Sequence, residues 1–102
     1  METQKISVPA PAGIPASMVT AYVRRCVAAL EESMAALDRL DYGYLRVYGH
    51  RLKGSGGGYG LPLLSKIGLV IEEAAKRGDA AELQGQLAAL EAYLSRIEIL
   101  PE

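Results

Sequence analysis

Residues 64–94 read LSKIGLVIEEAAKRGDAAELQGQLAALEAYL, and this stretch decides the fold class. Apolar residues recur every three or four positions on both sides of the Gly78-Asp79 pair, which is the spacing of amphipathic helices. Glycine is typical of a helix end, and an aspartate followed three residues later by a glutamate, here Glu82, is typical of a helix start. The stretch therefore predicts two helices joined by a tight turn, the second continuing until Pro101. Its apolar stripe comprises Leu83, Leu87, Leu90, Leu94 and Ile97.

Two further amphipathic segments precede this pair. The first covers about residues 17–39, with apolar positions at Met18, Tyr22, Cys26, Leu30, Met34 and Leu37. The second covers about residues 42–59 and places Leu45, Tyr48, Leu52, Ser55 and Tyr59 on its inward face. No segment shows the alternation typical of a strand. We therefore predict an all-α fold, an antiparallel up-down four-helix bundle at residues 17–100, with a short, loose Pro/Ala-rich N-terminal leader at residues 1–16.

Composition limits the functions that this chain can have. Its 102 residues suit one domain, and a formal net charge of −1 gives little basis for binding nucleic acid. The single cysteine, Cys26, and the single histidine cannot build a common zinc site, so we expect no metal or other cofactor. The N-terminus lacks a secretory signal, and no stretch is long and apolar enough for a membrane span. We expect a cytoplasmic protein that does not bind membranes.

The stretch that carries chemistry is residues 49–60, which read GHRLKGSGGGYG. At about 100° per residue, His50 lies about 200° from Leu52, so a buried leucine directs the histidine toward solvent. Four further residues lie within about 60° of the histidine on the same helix face. They are Arg46, Lys53, Gly54 and Gly57. The sequence therefore predicts an exposed imidazole on a cationic surface that has few side chains.

The glycines at 54 and 56–58 are costly if they lie inside a helix. Each costs roughly 0.5–1 kcal/mol relative to alanine, which is on the order of 2–4 kcal/mol for the four. A flat strip at Gly54, Gly57 and Gly58 would let a partner protein approach the imidazole closely, and we predict a docking role for it. The alternative, that the run simply ends the helix early, stays open.

An exposed imidazole beside an ammonium fits a phosphoryl carrier. A neutral imidazole offers a nucleophilic nitrogen near neutral pH, and Lys53 one turn along can stabilise charge on phosphoryl oxygens. Hydrolysis would instead need carboxylates near the histidine, and the only acid within ten residues is Asp41. Glu72 and Glu73 are interpreted as solvated helix surface or as interhelical partners. No autonomous kinase or hydrolase activity is expected.

The chain resembles the histidine-containing phosphotransfer (HPt) domain family of two-component phosphorelays over about residues 18–97. The signature residues are His50, Leu52, Lys53, Gly54, Ser55, Gly60 and Leu64. The resemblance continues at Ile71-Glu72 and in the turn at 74–79. It also extends to the phosphorylated N-terminal domain of chemotaxis-type histidine kinases. Positions 56–58 depart from the family, because small residues such as alanine are more usual there than three glycines.

The resemblance implies that His50 accepts and donates a phosphoryl group. The partners it implies are a response-regulator receiver domain, whose aspartate is the other end of the transfer, and a hybrid histidine kinase. Mg²⁺ is expected only in the receiver, and an exposed transfer face favours a monomer. Two alternatives stay open. One is a non-catalytic adaptor that binds a receiver or kinase without carrying phosphate, and the other is a structural bundle whose surface histidine has no role.

Overall fold

The computed structural model describes residues 4–101 and shows an all-α helical bundle with a short strand at each end of the described chain. The helices are α1 (Ala16–Asp38), α2 (Tyr42–Ser55), α3 (Pro62–Arg77) and α4 (Ala80–Arg96), and a 3₁₀ turn at Gly57–Tyr59 lies between α2 and α3. The strands are β1 (Ile6–Val8) and β2 (Ile97–Ile99). The first three residues of the predicted leader lie outside the described range.

The predicted turn chemistry sets most of the helix boundaries. Gly78 adopts the left-handed conformation (φ 64°) and ends α3, and the Asp79 side chain accepts a hydrogen bond from the Glu82 amide at 3.1 Å to cap α4. Asp41 caps α2 in the same way through the amide of Tyr44. Leu40 adopts a positive φ of 56° after α1, a conformation that usually selects glycine.

Helix α2 ends at Ser55, not at residue 59 as the periodicity predicts. The chain tightens into the 3₁₀ turn at 57–59, and Gly60 then takes the left-handed conformation (φ 77°) before α3 begins. Three successive glycines have the weakest helix preference of any residues except proline, so the run does end the α-helix early. The docking role of these glycines stays a prediction. Of the four glycines at positions 54 and 56–58, only Gly54 lies inside the α-helix.

The prediction of a strand-free chain is wrong at both ends. Ile6 pairs with Ile97 and Val8 with Ile99 in a parallel two-stranded sheet, so α4 stops at Arg96 and does not continue to Pro101. Both strands have an apolar-polar-apolar sequence, and the side chains of Val8, Ile97 and Ile99 pack against the core. Ile97, assigned to the α4 stripe, therefore belongs to β2. Each strand is three residues long, which is too short for alternation to stand out.

The core lies between the inward stripes of the four helices. Its fully buried members include Leu45, Leu64, Ile71, Leu83 and Leu90, as their spacing predicts. Helix α1 buries Tyr22, Cys26 and Leu30 as predicted, but its first turn differs: Val19 is fully buried, whereas Met18 is 52% exposed and lies outside the core. None of the helices within residues 4–101 combines the length and apolar character that a bilayer span requires.

Helices α2 and α3 make the most extensive contact in the bundle, and two glycines permit it. A Cβ atom at Gly49 would lie 2.5 Å from the Glu72 amide nitrogen, and one at Gly68 would lie 2.4 Å from the Lys53 amide nitrogen. Both distances are far below van der Waals contact, so the two backbones touch where neither residue has a side chain. This close approach places α3 directly beside the turn of α2 that carries His50.

We expect Gly68→Ala to destabilise the fold strongly, because its added methyl group meets backbone atoms that cannot turn aside. The cost should reach or exceed the roughly 1–3 kcal/mol typical of overpacked cores. Gly85→Ala in α4 is the matched control: nothing lies within 4 Å of its added Cβ, so better helix propensity should leave stability equal or higher. Urea denaturation of the two variants checks this, and equal unfolding free energies would contradict the close packing of α2 and α3.

Candidate functional site

His50 lies on the exposed side of α2, one residue after the glycine that touches α3. Its side chain is 67% exposed, whereas Gly49 and Leu52 beside it are buried. The helical geometry that buries these two neighbours therefore presents the imidazole to solvent. A hydrogen bond to α3 holds the ring there.

Glu72 of α3 bridges the His50 and Lys53 side chains of α2. Its Oε2 lies 2.9 Å from His50 Nδ1, and its Oε1 accepts a hydrogen bond of 2.7 Å from Lys53 Nζ. The Glu72 side chain is only 6% exposed, so this is a largely buried carboxylate with both oxygens bonded. A buried carboxylate needs such partners, because an unpaired charge in a desolvated position is costly.

The partners of Glu72 lower the pKa of its carboxyl group. The hydrogen bond from Lys53 is the largest cause, burial acts in the opposite direction, and the hydrogen bond from His50 is a further lowering contribution. Glu72 is therefore ionised at neutral pH and only accepts hydrogen bonds. A carboxylate at 2.9 Å assigns the proton of a neutral imidazole to Nδ1 and leaves the lone pair on Nε2. No residue among 4–101 makes a hydrogen bond to Nε2, the nitrogen that carries the lone pair.

A comparison with known protein families gives a match over most of the chain. The family model described as Hpt domain matches residues 17–99. The chain belongs to the Hpt domain family. Domains of this family act in histidine phosphotransfer within phosphorelays and interact with receiver domains and histidine kinases. A search of curated proteins and a search of solved structures found no similar chain.

The Hpt domain brings together some of the predicted site residues but not all. Lys53 is 38% exposed and paired with Glu72, so the surface near His50 is less cationic than the sequence predicts. Arg46 lies exposed on α2, one turn before the histidine. Gly54, Gly57 and Gly58 are exposed, and a Cβ added to Gly54 or Gly58 would meet nothing within 4 Å. These three glycines form a bare strip beyond Lys53.

The other signature residues of the Hpt domain support α2 and the turn that follows it. Leu52 and Leu64 are buried in the core. The Ser55 hydroxyl lies 2.7 Å from the Tyr22 hydroxyl and donates to the Arg51 carbonyl. Gly60 adopts the positive φ that ends the glycine run. These contacts lie within the fold, and the structural role of the four residues stays a prediction.

Glu72 is the residue that the sequence interpretation did not assign to the site. The sequence allows solvated surface or interhelical partner for both glutamates. Glu72 is an interhelical partner, whereas Glu73 is exposed and pairs with Lys76 at 3.4 Å. Two signals could have identified it. Gly68 interrupts an otherwise strong helix, which commonly marks a close packing contact, and Glu72 lies one turn after it on the same face. Within residues 4–101, no three His, Cys, Asp or Glu side chains cluster as metal ligands would.

We expect Lys53→Met to raise the pKa of the Glu72 carboxyl, because it removes the largest cause of the lowering. NMR titration of the side-chain carboxyl carbon would show it, with Lys76→Met as the matched control, since Lys76 pairs with Glu73. An unchanged Glu72 titration in Lys53→Met would contradict the observed pairing.

The lowered pKa of Glu72 also has a consequence for stability. Because the folded state binds this proton more weakly than the unfolded chain, Glu72 stabilises the fold above its ordinary pKa of 4.5. That contribution is lost as the pH falls from about 4.5 through the lower folded-state value. Denaturation curves across this window should show a steeper acid loss for the wild type than for Glu72→Gln. Parallel curves would contradict a lowered pKa.

Proposed function

We propose that this Hpt domain carries a phosphoryl group on His50 Nε2 and exchanges it with the aspartate of a response-regulator receiver domain. The observation that supports this most is the buried Glu72 carboxylate on His50 Nδ1 beneath an exposed ring. It fixes the tautomer that a phosphoryl acceptor needs, because the lone pair then lies on the nitrogen that faces away from the carboxylate. A surface histidine that has no role would not need a buried, charged partner.

The transfer step is a displacement at phosphorus. The Nε2 lone pair forms the N–P bond while the P–O bond to the receiver aspartate breaks, and the bonding electrons leave with the aspartate carboxylate. The ring becomes positive because it keeps the Nδ1 proton and gains the phosphoryl group. The Glu72 carboxylate stabilises that charge through its hydrogen bond, as the aspartate of a catalytic triad does for imidazolium. Transfer back to a receiver reverses the same bonds.

Lys53 is proposed to balance the charge of the site. Its ammonium has three donors, one of which is given to Glu72. The side chain is 38% exposed, so its remaining donors can reach the equatorial oxygens of an incoming phosphoryl group. This contact would offset the repulsion between that group and the Glu72 carboxylate. Arg46 and the strip at Gly54, Gly57 and Gly58 are proposed to contact the partner.

We also infer that the helices run up-down with antiparallel neighbours, as the sequence predicts. The connections at residues 39–41 and 78–79 are short, which is typical of antiparallel helix pairs. The monomeric state, the cytoplasmic location, the hybrid histidine kinase as second partner and the confinement of Mg²⁺ to the receiver remain predictions.

We expect a phosphorylated receiver domain to label this protein on histidine, giving an adduct that is labile to acid and stable to base. His50→Gln should abolish the label while leaving the fold intact, because the ring is exposed and contributes little to the core. The measurement is radiolabel transfer followed by acid and base treatment. Label that survives His50→Gln would contradict the assignment of His50 as the phosphoryl acceptor. Binding of the receiver without any label would favour the adaptor alternative.

Glu72→Gln should keep the label and slow its formation. The amide oxygen can still accept from Nδ1, but the amide group then turns its own N–H donors toward the Lys53 ammonium and the negative charge is lost. We expect transfer slower by on the order of tenfold or more, as for removal of other charge-stabilising groups. Glu73→Gln is the matched control, because Glu73 is exposed and pairs only with Lys76. Equal rates for the two variants would remove Glu72 from the proposed mechanism.

A further inference from the structure

The N-terminal leader packs against the backbone of the turn that ends the glycine run. A Cβ atom at Gly60 would lie 3.1 Å from Pro11 Cδ and 3.4 Å from Pro11 Cγ, with the Pro9 carbonyl oxygen at 3.7 Å. The proline ring therefore lies in the space that a side chain at 60 would fill. Gly60 is constrained twice, by its positive φ of 77° and by the approach of this ring.

Several contacts hold the leader in this position. Strand β1 pairs with β2, the Leu100 amide donates to the Val8 carbonyl at 2.9 Å, and Arg96 Nε donates to the Gln4 carbonyl at 2.9 Å. Between β1 and α1, the Ile14 amide closes a turn on the Pro11 carbonyl at 3.1 Å. The Val8 and Ile14 side chains pack on the core. The leader is thus part of the folded bundle on both sides of Pro11.

Other elements brace the rest of the same turn. The Gly57 amide donates to Ser65 Oγ of α3 at 2.8 Å. The ring of Tyr59 stacks on Tyr22 of α1 with 4.0 Å between centroids and an interplanar angle of 9°. At its last residue, Gly60, the turn meets the leader. Contacts from α1, α3 and the leader therefore surround it while Gly57 and Gly58 face outward.

We propose that the leader is a positioning element of the phosphotransfer surface, in which Pro11 bears on Gly60 and holds the bare strip in the shape that a receiver domain docks against. The proposal rests on the proposed function of His50. Glycine-rich backbone has the most conformations to lose, so a strip of glycines needs external support to present one surface. The leader supplies part of that support at Gly60. Its effect is on docking, because no hydrogen bond or ion pair links the described leader residues 4–15 to His50, Lys53 or Glu72.

The first test is a double-mutant cycle between Pro11 and Gly60, which needs no phosphate. Pro11→Ala removes the Cγ and Cδ atoms that face Gly60. Gly60→Ala should lower the urea midpoint in the wild type and lower it less in the Pro11→Ala background, because the clash is then absent and only the backbone strain remains. Equal decreases in both backgrounds would show that the ring does not bear on the turn and would overturn the proposal.

The second test measures transfer from a phosphorylated receiver at increasing receiver concentration. Pro11→Ala should raise the half-saturating concentration by about three- to tenfold, as for loss of shape complementarity outside a hot spot, and leave the maximal rate unchanged. The matched control is Pro15→Ala, which removes a proline from the same leader at the start of α1, away from Gly60. The amide NMR shifts of Gly57, Gly58 and Gly60 should move in Pro11→Ala and stay in place in Pro15→Ala.

The outcomes separate this proposal from the proposed function. Wild-type labelling on His50 with identical half-saturating concentrations for Pro11→Ala and wild type would overturn the role of the leader and leave phosphotransfer standing. A decrease in the maximal rate alone would also overturn it, because it would place the effect on the chemistry. If the wild type takes no label, the proposed function fails, and the double-mutant cycle still reports whether Pro11 bears on the turn.

Discussion

The site depends on the direct contact between the backbones of α2 and α3. Because neither Gly49 nor Gly68 has a Cβ, the helices approach until an added carbon at either position would lie within 2.5 Å of the opposite backbone. At this separation Glu72 lies beside the turn that holds His50, and a single side chain reaches both Nδ1 and the Lys53 ammonium. A wider spacing would leave the carboxylate with a solvent gap in place of two strong hydrogen bonds.

The charges of the site follow from this packing. A largely buried carboxylate is tolerable because Lys53 and His50 bond both of its oxygens, and the ammonium is the larger influence on its pKa. The same ammonium limits the negative potential that an approaching phosphoryl group meets. Glu72 therefore orients the imidazole without making the surface repel the group that the imidazole would receive. The mutual hydrogen bonds of Glu72, His50 and Lys53 therefore account for the positions of all three side chains.

The sequence predicts the features that are set by neighbouring residues, and it does not predict the contacts between residues that are far apart in the chain. Gly78 and Asp79 set a helix end and a helix start through their own backbone preferences, and Leu52 sets the outward direction of His50 by helical geometry. Glu72 is 22 residues from His50, and amphipathic spacing says which face of α3 turns inward but not which residue opposes the histidine. The strand pair is more distant still, because Ile6 finds its partner at Ile97. Such short strands are stable only because the folded bundle brings them together.

The glycines between residues 49 and 60 occur for different physical reasons. Adding one helix-propensity cost for each glycine, as if all lay in a single helix, does not describe them. Gly49 and Gly56 are glycine because the backbone of α3 or its leading loop occupies the place of a side chain, and Gly60 because of its positive φ. Gly54 has neither reason: it lies inside α2, is exposed, and has open space around it. Alanine there would favour the helix by about 0.5–1 kcal/mol. Packing and backbone conformation give no cause for a glycine at 54, which supports the proposal that a partner protein approaches that surface, one turn from His50.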